Sequence, residues 1–204
     1  MEPYKEETKQ AYELYPEIYE KKSEIHFRNF VRPLADAFIS HLRGRTIIDL
    51  GSGPGTHAEY FYHKGLDVMC VDYSPEMLKR CAAKGVRTQL ADIEEFRMPP
   101  NTVDGVWAYT SLLHIQKENI PQVIRNISDM LKGGGLLGVA FFGGYGEKFI
   151  EVPLMPGVKR WYSFFTDAEA RSLFNQRFDV LEGKTAVVPD GKVYLNYLFR
   201  KRPG

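Results

Sequence analysis

The residues best placed to do chemistry are acids at the ends of apolar runs. Asp49 lies in Thr46-Ile47-Ile48-Asp49-Leu50, directly ahead of Gly51-Ser52-Gly53-Pro54-Gly55-Thr56. Asp72 follows Asp67-Val68-Met69-Cys70-Val71, and Asp92 follows the run from Val86 to Ala91. A glycine-rich turn between a strand and a helix lets the backbone close on a ligand. In an open α/β sheet that turn sits at the carboxyl ends of the strands, where ligands bind. A dinucleotide is one ligand to weigh, but its fingerprint needs a glycine at position 56. Thr56 stands there and the glycine is at 55. That departure, together with Asp92, disfavours a nicotinamide-dependent oxidoreductase. Each acid alone has a plain reading: Asp49 as a helix-dipole partner, Asp72 as a strand end, Asp92 as a helix cap. Three of them ending successive strands point to a shared ligand.

Among bases, His114 in Ser111-Leu112-Leu113-His114-Ile115 is the best placed. An unperturbed histidine titrates near neutral pH and can take a proton from a nucleophile. It could equally fix the start of the next helix. His57 beside the glycine turn and His26 near the N-terminus are weaker candidates.

These residues need elements to hold them. Ala11, Leu14, Tyr15, Ile18 and Tyr19, then Phe27, Phe30, Val31, Leu34, Phe38 and Leu42, recur at helical spacing and predict two helices over about residues 6–43. From Thr46 the pattern changes to short apolar runs alternating with helical stretches. Strands are expected at 46–50, 67–71, 86–91, 103–109 and 136–142, with Gly133-Gly134-Gly135 ending the helix before the last. Ser74 caps a helix with Pro75 at its first position, and Thr166 caps another. Runs near 178–188 and 192–200 flank Pro189-Asp190-Gly191-Lys192, a turn sequence, so the chain should close on an antiparallel hairpin. The fold class expected is α/β: a Rossmann-like, doubly wound, seven-stranded sheet, mostly parallel with an antiparallel C-terminal hairpin strand, plus N-terminal helices.

The bulk properties narrow the function. The 204 residues suit one α/β domain. A net charge of +1 gives no global field for nucleic acid or anionic membrane, so neither is expected as a partner. Cys70 and Cys81 form no C-x-x-C pair and lie beside no ligating histidine, so no metal is expected and both should be reduced. The charged start Met1-Glu2-Pro3-Tyr4-Lys5-Glu6-Glu7 is no signal peptide and no 18-residue apolar run occurs, so a cytoplasmic protein is expected.

Taken together, Asp49-Leu50-Gly51-Ser52-Gly53-Pro54-Gly55 resembles the first motif of the class I S-adenosylmethionine (SAM)-dependent methyltransferases, small-molecule type. Asp72, Ala91-Asp92-Ile93, Val103-Asp104-Gly105-Val106-Trp107-Ala108-Tyr109 and Leu131-Lys132-Gly133-Gly134-Gly135 resemble that family's next four motifs in order. The likeness covers roughly residues 45–145 well and the rest more loosely, with Lys132-Gly133 in place of the usual Lys-Pro. It implies one domain over 1–204: a helical lid (1–44), a cofactor-binding core (45–143), then a substrate loop, helix and hairpin (144–204). It implies that Gly51, Ser52, Gly53 and Gly55 lie against the homocysteine part of SAM, with Asp49 near its ammonium. Asp72 would hold the ribose, Tyr73 and Met77 would pack on the nucleoside, and Asp92 with Ile93 would meet the adenine. Tyr12 and Tyr19 would cover the cofactor, and Tyr109 with Thr110 would lie at its methionine end. His114 and Tyr109 are the catalytic candidates. His114, Arg160, Tyr162 and Tyr145 are the candidates for holding a small-molecule acceptor, on loops that carry specificity. S-adenosylhomocysteine (SAH) would be the product and the protein a monomer or homodimer. An RNA or protein acceptor, or a SAM-binding module without activity, stays open. Against nucleic acid, there is no Asn/Asp-Pro-Pro-aromatic motif, no Pro-Cys nucleophile and no room for a recognition domain.

Overall fold

The computed structural model describes residues 2–152 and 155–203. Four short strands, three of them ending at or near the acids above, form the parallel centre. They are β1 (Thr46–Leu50), β2 (Asp67–Asp72), β3 (Arg87–Leu90) and β4 (Val103–Tyr109), joined by the long β5 (Leu131–Gly143) in the order β3-β2-β1-β4-β5. The C-terminal hairpin forms as the turn sequence predicts. β9 (Val193–Lys201) lies antiparallel to β5, and β8 (Phe178–Val187) lies antiparallel to β9. Two further strands correct the expected count of seven to nine. β6 (Glu147–Glu151) and β7 (Lys159–Phe165) make a second hairpin, where a substrate loop was expected, and β7 pairs in the ladder with β5 at Phe142 and Gly143.

The helices cover both faces. α3 (Arg32–His41), α4 (Thr56–His63) and α5 (Pro75–Ala83) pack Phe38, Phe61, Leu78 and Cys81 onto one face with Trp107. α6 (Ile120–Met130) and α7 (Asp167–Phe174) pack Val123, Ile124, Ile127 and Phe174 onto the other. Strand alternation sorts the side chains: Val106 and Ala108 of β4 enter one core, Trp107 and Tyr109 the other. The N-terminal region is three helices rather than two. Pro16 starts α2 (Pro16–His26) immediately after α1 (Pro3–Leu14), because proline supplies no amide to continue α1, and a π turn at Phe27–Val31 links α2 to α3.

The buried Trp107 has a requirement that the sequence does not announce. A Cβ at Gly138 on β5 would stand 2.3 Å from its ring. Gly138→Ala is therefore expected to cost about 2–3 kcal/mol through overpacking, read as an earlier midpoint in urea denaturation. A variant within about 0.5 kcal/mol of wild type, inside the ordinary scatter of neutral changes, would show that the indole moves freely.

Candidate functional site

The glycine turn is knitted to the end of β2. Gly51 N and Ser52 N donate to Val71 O at 2.7 and 3.1 Å. Asp72 Oδ2 accepts from Gly53 N and Oδ1 from Ser74 N, each at 2.9 Å. Gly51, Gly53 and Gly55 all adopt positive φ, where a side chain is strained. At Gly51 there is no room either, since an added Cβ would sit 2.4 Å from Ser111 Cβ. Burial pushes the Asp72 carboxyl up to about 6, against the pull of its amide donors. Burial, then the charge of Asp72, pushes Asp49 up to about 8. Asp49 Oδ2 is buried with no partner among the described residues.

That orphaned oxygen tests whether a cofactor fits. It asks for a donor beneath the glycine turn, and the ammonium of SAM in the crevice above would answer it through a bridging water. The consequence is measurable. With a pKa near 8 the free protein holds Asp49 mostly protonated at pH 7, and an arriving cation favours the carboxylate. SAH binding at pH 7 is expected to release close to one proton per site. Titration calorimetry in buffers of different ionisation enthalpy reads this directly, and uptake, or no exchange, would exclude it.

Around the turn lies a crevice, partly open to solvent, lined by Tyr12, Tyr19, Gly51, Gly53, Asp72, Tyr73, Met77, Asp92, Ile93, Tyr109 and His114. Eleven cofactor and catalytic candidates thus converge. Lys5, Glu94, Thr110, Ser111 and Ile115 complete the lining. Lys5 was not singled out, because a lysine in a charged N-terminal stretch reads as solvated. It reaches from α1 to Asp92 Oδ2 at 2.9 Å and Glu94 Oε1 at 2.8 Å, while Asp92 Oδ1 accepts from Glu94 N. Asp92 is therefore engaged by a cation as well as by a backbone amide. Thr110 holds φ 54°, an uncommon conformation for a β-branched residue, where β4 turns into the Leu112–His114 segment.

Several candidates stand elsewhere. Ser52 and Gly55 face α5 rather than the crevice: Ser52 Oγ is 3.5 Å from Cys81 Sγ, and a Cβ at Gly55 would meet that sulfur at 2.8 Å. Tyr145 is 84% exposed between β5 and β6 and lines nothing. Asp49 lies beneath the turn, not on the crevice wall. His57 accepts from Trp107 Nε1 at 2.9 Å and is held by packing.

His114 is fixed by a directed chain of hydrogen bonds. Arg160 Nη1 donates to Tyr12 Oη at 2.9 Å, and Tyr12 Oη meets His114 Nε2 at 2.7 Å. His114 Nδ1 meets Trp161 O at 2.6 Å. A carbonyl only accepts, so Nδ1 carries the proton, Nε2 is bare, and Tyr12 donates to it. Burial, then the Arg160 charge, pushes the imidazole down to about 3, so it stays neutral across the physiological range. Tyr162 packs on His114 at 4.8 Å between centroids, which places the Arg160–Tyr162 pair next to the crevice rather than on its wall.

Residues 47–135 match the family described as a methyltransferase domain. This stretch holds the β1–β4 strands and the glycine turn described above, and it is similar to a methyltransferase domain. Among curated proteins, the trans-aconitate 2-methyltransferase of Mycobacterium tuberculosis is 28% identical over 93 residues, 45% of this chain and 35% of that one. An uncharacterized methyltransferase of Mycobacterium bovis is 34% identical over 100 residues, 48% of this chain and 40% of that one. The matched stretch thus spans well under half of those relatives' length. The Burkholderia thailandensis 1,6-didemethyltoxoflavin-N1-methyltransferase, solved with 1,6-didemethyltoxoflavin and SAH, superposes with TM-score 0.75 at 21% identity, over 99% of this chain and 91% of that one. At that identity the likeness is one of fold.

Proposed function

We propose that the protein transfers a methyl group from SAM to a small-molecule acceptor, with SAH as product. The observation that carries this reading is the unpartnered Asp49 oxygen, buried beneath a glycine turn that Asp72 ties down. Bound there, SAM supplies a methyl group on a sulfonium whose positive charge disappears as the methyl leaves. The residues present suit such a ligand. Asp72 keeps lone pairs for ribose hydroxyls beyond its two amide donors, and Asp49 answers a cation. Tyr109 and Thr110 stand at the end of β4 with His114 close by in sequence, where an acceptor would be aligned and, if it carries a proton, relieved of it.

Residues 2–44 act as a lid in this reading. Tyr12 and Tyr19 line the crevice from above the turn, with Tyr19 within 3.1 Å of a Cβ position on Gly53. Ion pairs fasten α2 to α5, Arg80 holding Glu17 at 2.6 Å and also Glu20. Such a cover favours a small acceptor over an RNA or protein chain. The names of the trans-aconitate and didemethyltoxoflavin enzymes, each a small-molecule acceptor, support the same choice. A cytoplasmic site of action belongs to the proposal, supported by two free, buried cysteines. Among the described residues no helix is long and apolar enough to cross a membrane. The test is a metabolite extract incubated with methyl-labelled SAM. Label should appear in one low-molecular-weight compound as SAH accumulates. Protection against heating by NADH and not by SAM would end the reading.

A further inference from the structure

Arg160 is a cation without an anion. Among the described residues no carboxylate lies within ion-pair distance of its guanidinium, although the chain pairs most of its other buried cations. Its Nη1 is used by Tyr12, but Nε is buried with no partner. The group is held instead over the rings of Tyr12, Tyr162 and Tyr19, at 4.9, 5.6 and 5.7 Å from their centroids. Ring faces offset part of the cost of burying a charge, yet they leave N–H groups unmet. The Nε and Nη2 edge of a guanidinium is the fork that takes both oxygens of a carboxylate.

The surroundings add sign and shape. Lys22 on α2 feels the positive charges of both Arg160 and Lys192, and Asp190, which opposes them, is itself ion-paired to Lys192. From His114 a continuous aromatic wall runs through Tyr162 and Phe142 to Tyr194, with successive centroids 4.8, 5.5 and 4.9 Å apart. His26 stacks on its far end at 4.7 Å.

We infer that the methyl acceptor is a flat, unsaturated or aromatic anion, its carboxylate or equivalent oxyanion held by the free edge of Arg160 and its face against the Tyr162–Phe142–Tyr194 wall. The inference rests on the methyltransferase reading and names its substrate class. The other source of a carboxylate at this place is the amino-acid end of SAM itself, and the experiment separates the two.

The probes are benzoate and its neutral analogue benzamide, titrated into SAH-saturated protein and followed by ligand-observed NMR. Benzoate is expected to bind at least tenfold more tightly than benzamide. Arg160→Gln should erase that preference while leaving SAH affinity within twofold, and Arg160→Lys should restore part of it. Thermal melts confirm that each variant is folded. Equal binding of the two probes, no benzoate binding, or an unchanged preference in Arg160→Gln would overturn the inference. So would a tenfold loss of SAH affinity in Arg160→Gln with 5′-methylthioadenosine, which lacks the amino-acid end, unaffected. That result assigns the guanidinium to the cofactor. Failure of wild type to bind SAH would instead strike the methyltransferase reading, and an Arg160-dependent benzoate preference in unloaded protein would leave the anion site standing.

Discussion

Asp72→Ala is expected to weaken SAH and SAM binding about 100-fold or more, the largest loss of affinity from any single change at the site. The carboxylate does two things at once. It accepts the Gly53 and Ser74 amides, which sets the glycine turn and the start of α5, and in the proposed function it offers its remaining lone pairs to the ribose. Hydrogen bonds to a charged group contribute about 1.5–3 kcal/mol each, so two lost ribose contacts alone amount to roughly 3–6 kcal/mol. The same carboxylate gives a pH signature. Its pKa in the free protein is raised from the ordinary carboxylate range to about 6, because burial disfavours the charge. A carboxyl raised in this way stabilises the free fold below its unfolded pKa, and that contribution is lost as pH rises through about 6. Cofactor binding runs the opposite way, since it uses the ionised form. Affinity should therefore rise with pH, through about 6 as Asp72 ionises and on towards about 8 as Asp49 does. Isothermal titration from pH 5 to 8 measures the binding effect, and unfolding midpoints over the same range measure the effect on the free fold. An Asp72→Ala variant that keeps SAH affinity within threefold, or a flat pH dependence, would show that the ribose is held elsewhere.

What was legible in the sequence were features whose cause is local. The glycine turn reads from five consecutive residues, because positive φ and close approach demand glycine at defined positions. Alternating strand burial and the caps at Ser74 and Thr166 read for the same reason, each being satisfied within a few residues. Asp49, Asp72 and Asp92 could be grouped because successive parallel strands put their ends side by side. The rest depends on contacts far apart in sequence. The β6–β7 hairpin gives weak strand signals, Glu147-Lys148-Phe149-Ile150-Glu151 alternating poorly, and it is fixed by packing against α1 through Ala11, Val152 and Val158. Lys5 acquires its place from Asp92, 87 residues away. Tyr145 was chosen because it is an aromatic residue in a loop, yet aromatic residues join the site only where the sheet turns them inward. Tyr162 on β7 is so turned, while Tyr145 points to water. Arg160 was legible as a cation in the segment after the fifth strand, but its lack of a counter-charge among the described residues needed coordinates.

Removing the His114 imidazole should separate binding from chemistry. His114→Ala is expected to lower kcat about 100-fold, the lower end of what a positioned general base contributes, with SAH affinity within threefold of wild type. The hydrogen-bond chain decides the polarity. Trp161 O fixes the proton on Nδ1, leaving Nε2 as a bare acceptor beside the crevice, with the Tyr12 hydroxyl lying on it until an acceptor arrives. Burial and the Arg160 charge hold the imidazole neutral down to about pH 3, so it is available as an acceptor at every working pH. The pH–rate profile should then lack the rise near 6.5 that an exposed histidine base gives, which distinguishes this arrangement from an ordinary one. Low basicity in the free protein also means that Nε2 can take a proton only when the transferring methyl removes positive charge from the same crevice. Tyr12→Phe divides the chain further. It removes the hydroxyl between Arg160 and His114 but leaves Nε2 free, so it should reduce kcat less than His114→Ala does. If His114→Ala turns over within threefold of wild type, the acceptor carries no proton that must leave, and the imidazole serves only to hold Tyr12 and the Trp161 backbone in place.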